Sequence, residues 1–230
     1  MTGETSEDLR RERADPLCLP HDEAVRLLAG APWRRLAVMG DSYALGVGGP
    51  SPGYATTPWP DRVASALGAG QSDFGYLNTG VEGARTRQVR TGQLERVLAF
   101  KPDLVNVAAG GNDLFDAEPD LDGVEAELDA IYGELRRHGA DVFAFTVTNV
   151  FDSVPELAGF RAPMAALNER IRAVAARHQA ILIEMWEHPI RLSPTLMSAD
   201  GIHFAMEGHA ALAAEVVKAL SDRIANTADR

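Results

Sequence analysis

A serine, an aspartate and a histidine have the types and spacing that nucleophilic catalysis requires. A short apolar run leads directly into Gly40-Asp41-Ser42, and Asp200 and His203 stand three residues apart near the other end of the chain. A serine hydroxyl is a weak nucleophile at neutral pH and needs a base, usually a histidine oriented by a carboxylate. Because one turn can hold the Asp200 carboxylate against the His203 imidazole, the other ring nitrogen is left to face Ser42.

Two glycine-containing segments could supply hydrogen-bond donors to the same reaction. Residues 110–113 read Gly-Gly-Asn-Asp, so the backbone can turn tightly there and Asn112 can aim its amide into a cleft. Residues 78–85 contain Gly80 and Gly83, and a glycine amide can approach a ligand without side-chain obstruction. Acyl transfer needs donors where negative charge develops on the carbonyl oxygen. These segments therefore predict an oxyanion site.

Taken singly, each of these segments has a plainer interpretation. Gly-Asp-Ser and Gly-Gly-Asn-Asp are common turn and helix-cap signals, and an Asp-His pair is more often a surface pair. Asp41 fits a cap that orders the serine turn better than it fits a second catalytic carboxylate. The glycines at 46–49 lack the Lys-Ser/Thr ending of a phosphate-binding loop and indicate a flexible substrate loop. The catalytic interpretation depends on all the segments occurring together.

The elements that must position these residues alternate regularly between strands and helices. Five short apolar runs are the predicted strands, at 36–39, 74–77, 104–108, 142–147 and 181–186. Stretches of helical periodicity follow at 59–68, 87–99, 122–138, 162–178 and 206–225, after a short helix at 21–28. Nearly continuous apolar strands are typical of a parallel sheet covered on both faces. The pattern predicts a three-layer α/β/α sandwich with the ligand site beyond the carboxyl ends of the strands.

Length and composition set the outer limits of the interpretation. The 230 residues predict one domain over 31–230, preceded by a polar lead-in over 1–30. The net charge of −11 argues against a nucleic-acid partner, and Cys18 is the single cysteine, so no intrachain disulfide can form. No apolar run resembles a secretory signal or reaches the roughly 20 residues of a membrane span. We therefore expect a cytoplasmic protein with no membrane partner.

The remaining histidines show no metal-ligand spacing and are assigned structural or solvent roles. They are His21, His138, His178, His188 and His209. With no zinc motif such as His-Glu-x-x-His in the chain, we expect neither a metal nor a cofactor.

The four segments, in this chain order, resemble the SGNH or GDSL-like hydrolase superfamily over about residues 35–220. The resemblance implies a flavodoxin-like five-stranded fold and makes Ser42 the nucleophile, His203 the general base and Asp200 its orienting partner. It assigns the oxyanion hole to the backbone amides of Ser42 and Gly83 and to the Asn112 side chain. Gly80 also fits a strand-end position, but the residues after Gly83 are more similar to the family's. Tyr43 departs from the leucine of the family name, which affects only the lining beside the serine.

The resemblance implies a serine esterase that cleaves a small-molecule carboxylic ester through an acyl-enzyme on Ser42. We expect a short-chain acyl or acetyl ester, because the chain has no long apolar lid, although residues 43–58 and 151–163 can form apolar cleft walls. Acyl transfer to an alcohol and thioester cleavage would use the same residues. An inert ligand-binding member of the fold is a further alternative. The oligomeric state is not readable from the sequence.

Overall fold

A five-stranded parallel sheet forms the centre of the molecule. The computed structural model describes residues 9–151 and 155–228. The strands are β1 (Arg35–Gly40), β2 (Gly75–Asn78), β3 (Leu104–Ala108), β4 (Asp141–Phe145) and β5 (Ile181–Ile183). Their order is β2-β1-β3-β4-β5, and every neighbouring pair is parallel. The predicted sheet is confirmed.

Helices cover both faces of this sheet. They are α1 (Arg10–Ala14), α2 (His21–Leu27), α3 (Ser42–Leu45), α4 (Trp59–Gly68), α5 (Thr86–Phe100), α6 (Leu121–Arg137), α7 (Arg161–Arg177) and α8 (Met206–Ala228). Alternate residues of β1 point to opposite faces, with Leu36 and Val38 in the core under α2, α4 and α8. Ala37 and Met39 lie in the second core, under α5, α6 and α7. This is the predicted three-layer sandwich. Among the described helices, none has the length and hydropathy of a membrane-spanning segment.

Two strands end earlier than the sequence predicts. β4 ends at Phe145 rather than at residue 147, and β5 ends at Ile183 rather than at residue 186. Thr146 explains the difference, because its hydroxyl accepts the N–H groups of Met185 (2.8 Å) and Trp186 (3.1 Å). A side chain thus replaces the ladder hydrogen bonds just beyond the carboxyl ends of both strands.

The described part of the predicted lead-in packs against the domain. Residues 1–8 lie outside the described residues, but Glu12 of α1 forms an ion pair with Arg62 of α4 at 2.5 Å. The Tyr54 hydroxyl donates to Asp15, and Leu28 after α2 is buried in the core. The charged sequence of this segment does not predict this packing, because the residues that it contacts lie on distant parts of the chain. The boundary at residue 30 stays a prediction.

β1 and β3 lie in close contact at Gly40, the last residue of β1. Gly40 has a φ of +142°, and a Cβ there would lie 1.8 Å from the carbonyl oxygen of Ala108. The Asp41 N–H donates to that same oxygen at 3.0 Å. Only glycine fits this position. The approach brings the segment after β1 beside the segment after β3.

We expect Gly40→Ala to destabilise the fold by more than about 3 kcal/mol, because the added carbon meets backbone that can yield only by separating two central strands. Gly92→Ala is the matched control: Gly92 lies inside α5 with open space around it. That change should stabilise the protein by about 0.5–1 kcal/mol, since alanine loses less backbone entropy in a helix. Urea denaturation measures both, and a wild-type midpoint for Gly40→Ala would contradict the packing described.

Candidate functional site

A sharp turn at the carboxyl end of β1 presents the candidate nucleophile. Asp41 is the N-cap of α3, and its Oδ1 accepts the N–H of Tyr43 at 2.9 Å. This confirms the capping interpretation of Asp41. Ser42 is the first residue of the helix and is buried. An N–H at that position has no acceptor within its own helix, so it is free to face a ligand.

Burial perturbs the Asp41 carboxyl. Desolvation raises the pKa of Asp41 to about 7, although the hydrogen bond from the Tyr43 N–H and the charge of His203 oppose the shift. The other carboxyl oxygen lies 3.4 Å from the amide nitrogen of Asn112. Asp41 therefore connects the serine turn with the segment after β3.

Asp200 and His203 form the hydrogen-bonded pair that their spacing predicts. His203 Nδ1 lies 2.7 Å from Asp200 Oδ2. Asp200 Oδ1 accepts the backbone N–H groups of Ile202 (2.9 Å) and His203 (3.0 Å), and Gly201 allows the tight turn with a φ of +68°. With Nδ1 donating its proton to the carboxylate, Nε2 is left as the basic nitrogen.

The Asp200 carboxylate is held ionised. Desolvation acts to raise its pKa, but the hydrogen bonds from the His203 ring and from the two backbone N–H groups outweigh it and lower the pKa of Asp200 to about 2. The carboxylate therefore keeps its orienting charge through the acidic range.

The serine turn and the Asp-His turn meet around Tyr43. Its ring centroid lies 6.2 Å from that of His203 and 5.4 Å from that of Phe204. Ser42 and His203 are both at least nine-tenths buried. In the described part of the chain, no hydrogen bond joins Ser42 Oγ to His203 Nε2. Such bonds are often long without substrate and tighten when it binds.

The segment after β3 carries Asn112, the candidate side-chain donor, in a 3₁₀ turn over Asn112–Phe115. The Asn112 amide donates to the carbonyl of Ala84 at 3.2 Å. The next residue, Asp113, accepts both the N–H and the hydroxyl of Thr86, at 3.0 and 2.9 Å. The start of α5 and the Asn112 segment are thus held together.

The geometry distinguishes Gly80 from Gly83. The Gly80 N–H donates to Asn78 Oδ1 at 2.9 Å, and a Cβ there would lie 2.4 Å from the backbone nitrogen of Leu45. Gly80 is therefore a packing residue. Gly83 has a φ of +73° and open space around it, and no acceptor for its N–H is found among the described residues. Gly83 is exposed and its N–H is available to a ligand, and its role as an oxyanion donor stays a prediction.

A cavity of about 120 Å³ opens beside Ser42 and Asn112. Tyr43, Phe151 and Phe160 contribute to its lining, as expected for the two predicted cleft walls, although residues 152–154 lie outside the described residues. No group of three or more His, Cys, Asp or Glu side chains in the described ranges could hold a metal ion.

The GDSL-like lipase/acylhydrolase family model matches residues 38–211, a span that includes every candidate site residue. The chain belongs to this family. No curated protein matches the sequence. The family match begins within β1 and ends in the first part of α8, so it includes both halves of the site.

Solved structures with the same fold include esterases. An acetyl xylan esterase variant from Geobacillus stearothermophilus is 22% identical with a TM-score of 0.66, over 81% of this chain and 94% of that chain. A lipase/acylhydrolase from Enterococcus faecalis is 23% identical with a TM-score of 0.66, over 83% and 96% of the two chains. Also similar are catalytic mutants of the Geobacillus esterase, in which a serine, an aspartate and a histidine are each replaced by alanine.

Sequence reasoning did not find the residue that fixes the end of β1 in this family member. Gln93 of α5 is buried, its Oε1 accepts the N–H of Gly40 (2.8 Å), and its amide donates to the Gly40 carbonyl (2.7 Å). The Thr79 hydroxyl donates to the same Oε1 at 3.1 Å. One signal was available: Gln93 interrupts the apolar stripe between Val89 and Val97, and a polar residue on a buried face needs a partner.

His209 has the structural role that was expected of it. The ring is buried, its Nδ1 accepts the N–H of Trp59 (3.3 Å), and its Nε2 bonds the carbonyl of Val47 (3.1 Å). Burial lowers the pKa of His209 to about 4, so the ring stays neutral and keeps both bonds at physiological pH. It fixes the loop that follows the serine turn.

The raised pKa of Asp41 makes stability depend on pH. Folding raises this pKa from 3.8 to about 7. The contribution of Asp41 to the stability of the fold is therefore complete below about pH 4, and it is lost as the pH rises through 7. Asp41→Asn keeps a cap acceptor but cannot ionise. We expect urea denaturation to show that the free energy of unfolding of Asp41→Asn, relative to that of wild type, rises steadily from pH 4 to 7. Asp222→Asn, an exposed control, should follow the wild-type profile, and a parallel profile for Asp41→Asn would refute the assignment.

Proposed function

We propose that this chain hydrolyses carboxylic esters through an acyl-enzyme on Ser42. The observation that carries the proposal is the Asp200–His203 hydrogen bond of 2.7 Å. It is made in a turn whose Ile202 and Phe204 line the same cavity as Ser42 and Asn112. This pair fixes the histidine tautomer, and a serine hydroxyl needs such a base to become a nucleophile.

In the first half of the proposed cycle, Ser42 Oγ attacks the ester carbonyl while His203 Nε2 takes the hydroxyl proton. The negative charge on the carbonyl oxygen is stabilised by the N–H groups of Ser42 and Gly83 and by the Asn112 amide. To reach that oxygen, the Asn112 amide turns from the Ala84 carbonyl, to which it donates at 3.2 Å. His203 then gives its proton to the leaving alcohol, and the ester bond breaks.

In the second half, His203 Nε2 takes a proton from water, and the resulting hydroxide attacks the acyl group on Ser42. The same three donors stabilise the second oxyanion. Collapse of this intermediate returns the proton to Ser42 and releases the carboxylic acid. Every step uses groups of this chain and one water molecule.

The similar acetylxylan esterase supports the assignment of the three residues. Its catalytic mutants replace a serine, an aspartate and a histidine, with the aspartate and the histidine three positions apart in that chain. Asp200 and His203 have the same spacing here.

Hydrolysis of p-nitrophenyl hexanoate tests the proposal. We expect Ser42→Ala to lower kcat at least about 10³-fold, because the nucleophile is removed, and Asp200→Asn to lower it about 10²–10⁴-fold, because the histidine tautomer is no longer fixed. Asp222→Asn, an exposed change of the same type in α8, should leave kcat unchanged. Circular dichroism shows that each variant is folded. Full activity in folded Ser42→Ala would disprove the acyl-enzyme.

A further inference from the structure

The cavity beside Ser42 extends from the sheet edge into the interior. Its walls come from the end of β3 and the segment after it, from α6 and from α7. They include Val107, Ala109, Leu128, Tyr132, Met164 and Ile171. Phe145 and Met185 add apolar surface from the ends of β4 and β5. The space is therefore enclosed by elements of the core rather than by surface loops alone.

The residues of this cavity are mostly apolar, and its acidic and amide side chains lie where the reaction would occur. Asp41, Ser42 and Asn112 line one end, and Asp41 is the single acidic or basic side chain among the described lining residues. The lining residues Tyr43, Tyr132, Thr146 and Thr148 also carry hydroxyl groups, and that of Thr146 is engaged by the N–H groups of Met185 and Trp186. A sugar would need many hydrogen-bond partners in such a space, whereas a hydrocarbon chain needs none.

The volume sets the length of chain that the cavity can hold. An apolar cavity of roughly 150 Å³ in another protein stays dry and binds benzene, a ligand of six carbons. At about 120 Å³, this cavity has room for a group of similar or slightly smaller size. An acetyl group would leave most of it empty.

The surface around the site is also apolar. Of five exposed large hydrophobic side chains among the described residues, four lie on the segments that carry the candidate catalytic groups. They are Leu45 beside the serine turn, Val81 before Gly83, Phe115 after Asn112 and Ile202 before His203. Grouped exposed apolar side chains are typical of a binding surface. This arrangement favours a substrate that arrives with its own apolar part.

We propose that the cavity binds the acyl chain of a medium-chain ester, with an optimum near six carbons. The inference rests on the proposed function and names its substrate class. The ester carbonyl lies at Ser42 and the hydrocarbon tail enters between β3, α6 and α7. The sequence had favoured a short-chain or acetyl ester, because no apolar lid is visible in it; the cavity is built instead from residues of the core.

Chain length gives a quantitative test on wild-type protein. Each methylene moved from water into an apolar site should raise kcat/KM about fourfold. We expect kcat/KM for p-nitrophenyl hexanoate to exceed that for the acetate by about 10²-fold, with no further gain beyond about six carbons, where the cavity is full. An acetate rate equal to or above the hexanoate rate would overturn the inference while leaving ester hydrolysis intact.

A variant locates the effect in the cavity. Met164→Trp places an indole in the lining, and we expect the ratio of hexanoyl to acetyl kcat/KM to fall at least tenfold. Leu192→Trp makes a similar addition at an exposed apolar residue outside the cavity and should keep the wild-type ratio. An unchanged ratio in folded Met164→Trp would overturn the inference.

Binding of the product acid separates this inference from the proposed reaction. Calorimetry on Ser42→Ala should show that hexanoate binds at least tenfold more tightly than acetate, because the tail occupies the cavity whether or not chemistry occurs. If wild type hydrolyses no ester yet hexanoate still binds in this way, the proposed function fails and the acyl cavity stands. If hexanoate binds no better than acetate, the acyl cavity is wrong.

Discussion

The contact between Gly40 and the Ala108 carbonyl is the constraint on which the candidate site depends. It brings the ends of β1 and β3 together without a side chain between them. The Asp41 N–H donates to the same Ala108 carbonyl at 3.0 Å. The side chain of Gln93, on α5, forms hydrogen bonds with both the N–H and the carbonyl of Gly40. Ser42 and the Asn112 segment are therefore brought together by the sheet itself. A rigid scaffold of this kind is what positions donors before charge develops.

The other half of the site is attached to this scaffold through the loop after α3. Ser198 accepts the N–H of Gly49 at 2.6 Å and donates to the carbonyl of Phe204 at 2.9 Å, so it joins that loop to the Asp-His turn. Neutral His209 holds Val47 of the same loop. The base and the nucleophile thus belong to one connected network, although 160 residues separate them in sequence. Movement of this loop would alter their separation.

Much of the fold could be predicted from the sequence, because strand hydrophobicity and helix periodicity are local properties. The strands and long helices occur where they were expected, and the Asp200–His203 pair forms as its spacing predicts. The hydrogen bonds between Gln93 and Gly40 and the packing role of Gly80 could not be predicted in the same way, because both depend on which backbone atoms lie next to these residues in the folded chain. The acyl cavity is also a property of assembled helices. The sequence shows apolar residues in α6 and α7, but not the space left between them.

Covalent labelling shows whether Ser42 is the nucleophile. A fluorophosphonate should add to a single serine of the wild-type protein, and peptide mass spectrometry should locate the adduct on Ser42. Labelling should slow strongly in His203→Ala, because the hydroxyl loses its base. If the folded wild-type protein resists the reagent, or carries the adduct on another serine such as Ser51 or Ser198, Ser42 is not the nucleophile.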